Sequence, residues 1–167
     1  CYLAMGFKSR FVTCMPRETE FDDCHVINIV YSNDLDKWVW MDPSFAAYLT
    51  DENGTLLSIE VVRARLIKDL PLVLNPDANW NHANPQSKEY YLDIYMAKNL
   101  YRFSSPAFSG YDVETAKKNS TIDYVELLPL DGIQQEPQKE SSTNDEINRV
   151  YTTYKTNNSK AYWTKPE

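Results

Sequence analysis

Glycine is scarce in this chain of 167 residues: four, against twelve tyrosines, six phenylalanines and four tryptophans. So little glycine beside so many aromatics excludes a disordered linker and argues for packed sheet and helix. Cysteine is scarce as well. Three is an odd number and too few for a dense disulfide framework, and no Cys-x-x-Cys pair suggests zinc. The two histidines have no suitably spaced carboxylate or cysteine set, so no metal is expected. Positive charge is short, with 17 Lys and Arg against 24 Asp and Glu for a net charge of −7. A nucleic-acid binder needs a basic patch, and the one basic cluster is a short helical one at Arg63, Arg65 and Lys68, so no nucleic-acid partner is expected. No apolar run approaches the roughly 20 residues of a membrane span. No basic-then-apolar segment opens the sequence, and the expectation is a soluble form without a membrane span.

The length suits one domain with a real core, and 43% hydrophobic with 25% charged residues is an ordinary globular balance. Residues 1–130 read as that core, 131–147 as a polar loop rich in Gln, Glu, Ser and Asn, and 148–167 as a C-terminal strand segment of the same domain. Cys1 to Met5 reads as the last turn of a helix, with Gly6 as its left-handed cap. Phe7 to Met15 alternates as a strand, and Pro16 to Asp23 is a polar loop. Ser58 caps a helix to about Lys68, with Ile59, Val62 and Leu66 on one face. Ser87 caps a second helix to about Tyr101, with Tyr91, Leu92, Tyr95, Met96 and Leu100 as a core stripe. Phe103 to Ser109 reads as loop, Thr121 to Pro129 as a strand, and Val150 to Tyr154 with Ala161 to Thr164 as a closing strand pair. The triplets at Asn53, Asn119 and Asn157 match the glycosylation sequon, a pattern common by chance.

One segment carries chemistry. Cys24-His25-Val26-Ile27-Asn28-Ile29-Val30-Tyr31 and Lys37-Trp38-Val39-Trp40-Met41-Asp42 are two strand-like runs joined by the polar turn Ser32-Asn33-Asp34-Leu35-Asp36. A hairpin lays its strands side by side, so His25 at the start of the first and Asp42 at the end of the second meet at one end of the sheet. Pro43 cannot continue a central strand and fixes Asp42 at the strand end. An imidazole beside a semi-buried carboxylate is the base-and-orienter half of a nucleophilic triad. Trp38 and Trp40 share Asp42's parity and should wall the pair from water. The bland alternative is a solvent-facing histidine and an aspartate that starts a turn. Asp22 and Asp23 beside His25 read as a solvated acidic loop, His82 as a surface loop residue, and Glu60 and Glu89 as first-turn complements of the helix dipole.

Three segments resemble the transglutaminase-like family. Met5-Gly6-Phe7-Lys8-Ser9-Arg10-Phe11-Val12 is similar to its Gly-Ile-x-x-Arg-x-Val strand, His25-Val26-Ile27-Asn28-Ile29-Val30-Tyr31 to its histidine strand, and Lys37-Trp38-Val39-Trp40-Met41-Asp42-Pro43-Ser44 to its Trp-x-x-x-Asp-Pro-Thr signature. The motifs cover residues 1 to about 45, and the continuation to about 100 is similar to a bacterial branch. The resemblance implies an α+β, papain-like architecture and a Cys-His-Asp triad acting on amide bonds of a protein or peptide substrate. It makes His25 general base and Asp42 orienter, with no cofactor and no metal required. Hydrolysis and transamidation share the first half-reaction, and either fits. A bacterial extracytoplasmic or a cytoplasmic location fits equally.

The nucleophile departs from the pattern. In the family the cysteine starts a helix of about four turns that runs into the glycine-containing strand, roughly fifteen residues before the glycine. Gly6 has five residues before it. The expected nucleophile therefore falls upstream of Cys1, the chain reads as an N-terminally truncated piece, and an apolar groove is expected where the missing helix packs. Cys1 sits at a helix C-terminus, where the dipole disfavours a thiolate. Cys24 points to the face opposite its neighbour His25, and Cys14 reads as an apolar filler. The alternative function is a non-catalytic transglutaminase-like module that serves as scaffold or peptide groove.

Overall fold

The computed structural model describes residues 1–17, 23–110, 120–129 and 138–166. A 3₁₀ turn over Leu3–Met5 ends at Gly6, whose φ of 86° is the left-handed cap that a side chain disfavours, and whose N–H donates to Leu3 O. β1 (Ser9–Met15) follows. It pairs antiparallel with β2 (His25–Ser32), which turns back through residues 33–36 into β3 (Lys37–Met41). Asp42 leaves that strand through an isolated bridge to Ala47, as Pro43 requires.

A short pair, β4 (Leu49–Thr50) and β5 (Val73–Leu74), brackets α1 (Ile59–Ile67). Ser58 caps α1 by accepting from the Val61 N–H, and Ile59 and Val62 are buried. A second short pair, β6 (Asn79–Trp80) and β7 (Asn84–Pro85), leads into a helix wound as π over Glu89–Met96 that finishes as α2 (Ala97–Asn99). β8 (Arg102–Pro106), β9 (Thr121–Leu127), β10 (Gln138–Asn144), β11 (Arg149–Thr156) and α3 (Ser159–Tyr162) complete the chain.

Among the described residues the main sheet has seven strands in the order β10-β11-β9-β8-β1-β2-β3. Its neighbours are antiparallel except β11 against β9, which run parallel, so the fold is α+β on a mixed sheet. Val12, Ile27, Ile29 and Trp40, on one face of β1–β3, share a buried cluster with Leu92 and Met96 of the π-helix and with Leu49, Ile59 and Val62. These side chains are almost fully buried, each worth roughly 1.5–3 kcal/mol by area removed from water.

Three expectations need correction. Phe103 to Ser109 is not loop: β8 lies between β1 and β9, with Cys14 opposite Phe103 and Phe103 opposite Leu127. The ladder on both sides supplies what the Ser-Ser-Pro composition hides. Within 131–147, residues 138–144 form the edge strand β10, in which every residue is exposed, so no hydrophobic alternation marks it. The polar-loop expectation for 131–137 lies outside the described residues. Ala161 to Thr164 is not a strand: Asn158 accepts from the Ala161 N–H and starts the helix α3 instead. The second helix is present, with Ser87 accepting from the Tyr90 N–H at its start, but it is π-wound over Glu89–Met96, a winding that the apolar stripe does not mark. Its stripe is nevertheless the core face, with Tyr91, Leu92, Met96 and Leu100 buried. The sequon at Asn119 lies outside the described residues.

Candidate active site

The hairpin brings His25 and Asp42 together. His25 Nε2 lies 2.6 Å from Asp42 Oδ2, with His25 8% and Asp42 1% exposed. This excludes the solvent-facing histidine. The turn that Pro43 forces gives Asp42 its other partners: the Ser44 and Phe45 N–H groups donate to Oδ1 at 3.0 and 3.3 Å. From the π-helix, the Tyr91 hydroxyl donates to Oδ2 at 2.8 Å, and Trp40 Nε1–H donates to the Tyr91 hydroxyl oxygen at 3.1 Å. Four donors converge on two oxygens. A carboxylate accepts all four, whereas a carboxylic acid would turn one oxygen into a competing donor. Burial, then the charge and hydrogen bond of Asp42, raise the Tyr91 hydroxyl well above the ordinary phenol range, so it stays a donor.

The proton that His25 shares with Asp42 is assigned from the partners of the ring. A carboxylate has no proton to give, so Nε2 carries the hydrogen and Nδ1 is the acceptor. At Nδ1 stands the Tyr95 hydroxyl, 3.3 Å away. Tyr95 and Phe45 pack edge-on against the imidazole, each with centroids 5.3 Å apart. Burial, followed by the charges of Asp42 and Cys24, raises the Tyr95 hydroxyl as well. Two hydrogen-bonded arms thus converge on Asp42, one from Trp40 through Tyr91 and one from Tyr95 through His25, with the imidazole set against the rings of Phe45 and Tyr95.

Parity placed both indoles on Asp42's side, and both are buried, but Trp40 alone joins this hydrogen-bonded chain. Trp38 instead packs edge-on against Tyr31 and donates its indole N–H to Thr164 O. Tyr91 and Tyr95 were legible as core and not as polar partners. The available signal was their type, since a buried tyrosine hydroxyl needs a partner that leucine or phenylalanine would not.

The cysteines are all unpaired thiols. Cys1 and Cys24 are exposed, while Cys14 is fully buried. In register Cys14 lies directly opposite His25, so the two share a face. Its sulfur nonetheless hydrogen-bonds Val12 O, and burial raises its thiol pKa, which disfavours the thiolate that a nucleophile needs. Asp23 is salt-bridged to Lys98, and Asp22 lies outside the described residues. His82 is exposed in a tight turn with a positive φ of 56°.

Among the described residues no group of three His, Cys, Asp or Glu side chains could hold a metal ion. No helix formed by those residues is long and apolar enough to cross a membrane. A groove of about 240 Å³ runs beside the N-terminal turn, bounded by Cys1, Tyr2, Leu3 and Phe11. A larger cavity, about 510 Å³, opens between α1 and the C-terminal segment at Arg63, Tyr101, Phe103 and Trp163. His25 and Asp42 line neither. No family model, no curated protein and no solved structure matches this chain.

Proposed function

We propose that His25 and Asp42 are the general base and orienter of a transglutaminase-like, papain-like cysteine acyl-transfer enzyme acting on amide bonds of a protein or peptide. The single observation that carries this reading is the 2.6 Å bond from His25 Nε2 to a buried carboxylate that has no other ionic partner among the described residues. It leaves Nδ1 for the reacting group. In the reaction a cysteine thiol gives its proton to Nδ1, and the sulfur attacks the amide carbonyl. Collapse of the adduct expels the amine, which takes the proton back from Nδ1. Water or an acceptor amine then cleaves the thioester. Asp42 holds the ring and stabilises the imidazolium throughout.

In this reading the nucleophile lies upstream of Cys1, because burial raises the Cys14 thiol pKa and Cys1 and Cys24 make no hydrogen bond to His25 among the described residues. Met5 and Phe7, which flank Gly6, are 71% and 47% exposed, apolar surface of the kind a packed helix covers. The 167-residue chain is therefore expected to hydrolyse no amide substrate. In a parent polypeptide that extends upstream, a cysteine about fifteen residues before Gly6 should be alkylated by iodoacetamide at neutral pH, and His25→Ala should slow that alkylation. Amide hydrolysis by the 167-residue chain that His25→Ala abolishes would overturn the placement of the nucleophile.

A second reading, a non-catalytic module of the same architecture, is favoured by one observation: the nitrogen a nucleophile would use already holds the Tyr95 hydroxyl. An upstream polypeptide without a reactive cysteine would select it.

A further inference from the structure

The π-helix places two tyrosines at the dyad, and they do different things. Tyr91 reaches Asp42, is fully buried, and is locked by Trp40. Tyr95 reaches His25, is partly exposed, and its hydroxyl has no other hydrogen bond among the described residues. Its ring is held between Phe45, at a centroid distance of 5.6 Å, and the Lys98 ammonium, 5.1 Å from the ring centre. Lys98 is in turn anchored by Asp23, two residues before His25. Tyr95 thus sits in a slot from which its hydroxyl meets the single nitrogen of His25 that can accept a proton.

We propose that Tyr95 is a positioning residue and gate for His25. Its hydroxyl donates to Nδ1, fixes the Nε2–H tautomer and covers the base until an incoming thiol displaces it. The inference rests on the reading of His25 as the base and adds its regulation. Displacement is cheap because the bond is long at 3.3 Å and Tyr95 borders solvent, where water can take over the hydroxyl. A π-wound helix is also a less regular support than an α-helix, and such windings recur where a functional side chain must be re-aimed.

The test uses the 167-residue chain, whose two histidines give an internal standard. Diethyl pyrocarbonate acylates the lone pair of a neutral imidazole. At His82, which is exposed, the rate reports reagent alone. Tyr95→Phe keeps the ring packing and removes the hydroxyl, and should speed acylation of His25 relative to His82 by about fivefold, the ratio that one ordinary hydrogen bond represents. An unchanged ratio would overturn the gate. The ¹⁵N shift of Nδ1 supplies a second reading that needs no variant: a hydrogen-bonded acceptor nitrogen in the wild-type chain supports the gate, and an unbonded one overturns it. The two claims fail separately. A proton on Nδ1 in place of Nε2 would sink the base-and-orienter reading itself. A proton on Nε2 with Nδ1 indifferent to Tyr95→Phe would sink the gate alone.

Discussion

Asp42 holds more of this site together than any other residue, because four donors end on it. Asp42→Ala would leave His25, Tyr91 and two backbone N–H groups without an acceptor in a buried pocket, and should cost roughly 3–5 kcal/mol in urea unfolding. Asp42→Asn keeps the acceptor for Ser44 and Phe45 and should cost less, about 1–3 kcal/mol. Equal costs for the two would mean that the charge and the Oδ2 contacts, and not the backbone bonds, dominate. Cys14 gives a pH signature. Its folded thiol pKa is raised by burial, so as pH rises the unfolded chain loses that proton first. The stability it contributes is intact below the unfolded value near about 8.5 and drains away above it, by up to about 1.4 kcal/mol per pH unit. Urea midpoints between pH 7 and 10 should fall for the wild type and fall less steeply for Cys14→Ala, with parallel curves as the contrary result. At this scale His25 and Asp42 were legible because a hairpin fixes which strand ends meet. Tyr91 and Tyr95 were not, because helical periodicity reports which side of a helix is buried and not what a hydroxyl touches there.

At the scale of elements, the β2–β3 hairpin and α1 follow from local signals: alternation, the 33–36 turn, and Ser58 as cap. Ser58→Ala should cost about 1 kcal/mol, measured by chemical unfolding, since the Val61 N–H loses its acceptor. The π-helix is held by packing. Leu92 and Met96 are fully buried, and Leu92→Ala should cost about 2–5 kcal/mol while loosening both tyrosines. A Leu92→Ala protein that kept wild-type stability would mean that this helix is not the cover of the core. Elements whose strand character comes from neighbours stayed illegible. β8 is a strand because β1 and β9 flank it, and β10 because β11 offers an edge; neither carries its own apolar alternation. The register of Cys14 against His25 was likewise invisible until pairing was known.

On the scale of the whole molecule, the C-terminal segment is strapped across the sheet far from its neighbours in sequence. Arg10 donates to Tyr162 O and lies over the rings of Trp38, Tyr162 and Trp163 at 5.4, 4.8 and 5.8 Å. Trp38 Nε1–H donates to Thr164 O, and the Tyr162 hydroxyl pairs with Ser105. Arg10→Ala should release this strap, shift tryptophan emission to the red and expose residues 159–166 to proteolysis; unchanged emission would place the hold elsewhere. Because α3 docks on β1 and β9 rather than extending the sheet, its helical state depended on contacts that the 148–167 segment does not advertise. The hold of Asp42 on His25 is read most directly in the ¹H–¹⁵N spectrum of the His25 ring in the wild-type chain and in Asp42→Asn. That hold predicts a strongly downfield proton on Nε2 in the wild type that is lost or moved to Nδ1 in the variant. A proton on Nδ1 in the wild type, or a spectrum that Asp42→Asn leaves unchanged, would contradict it.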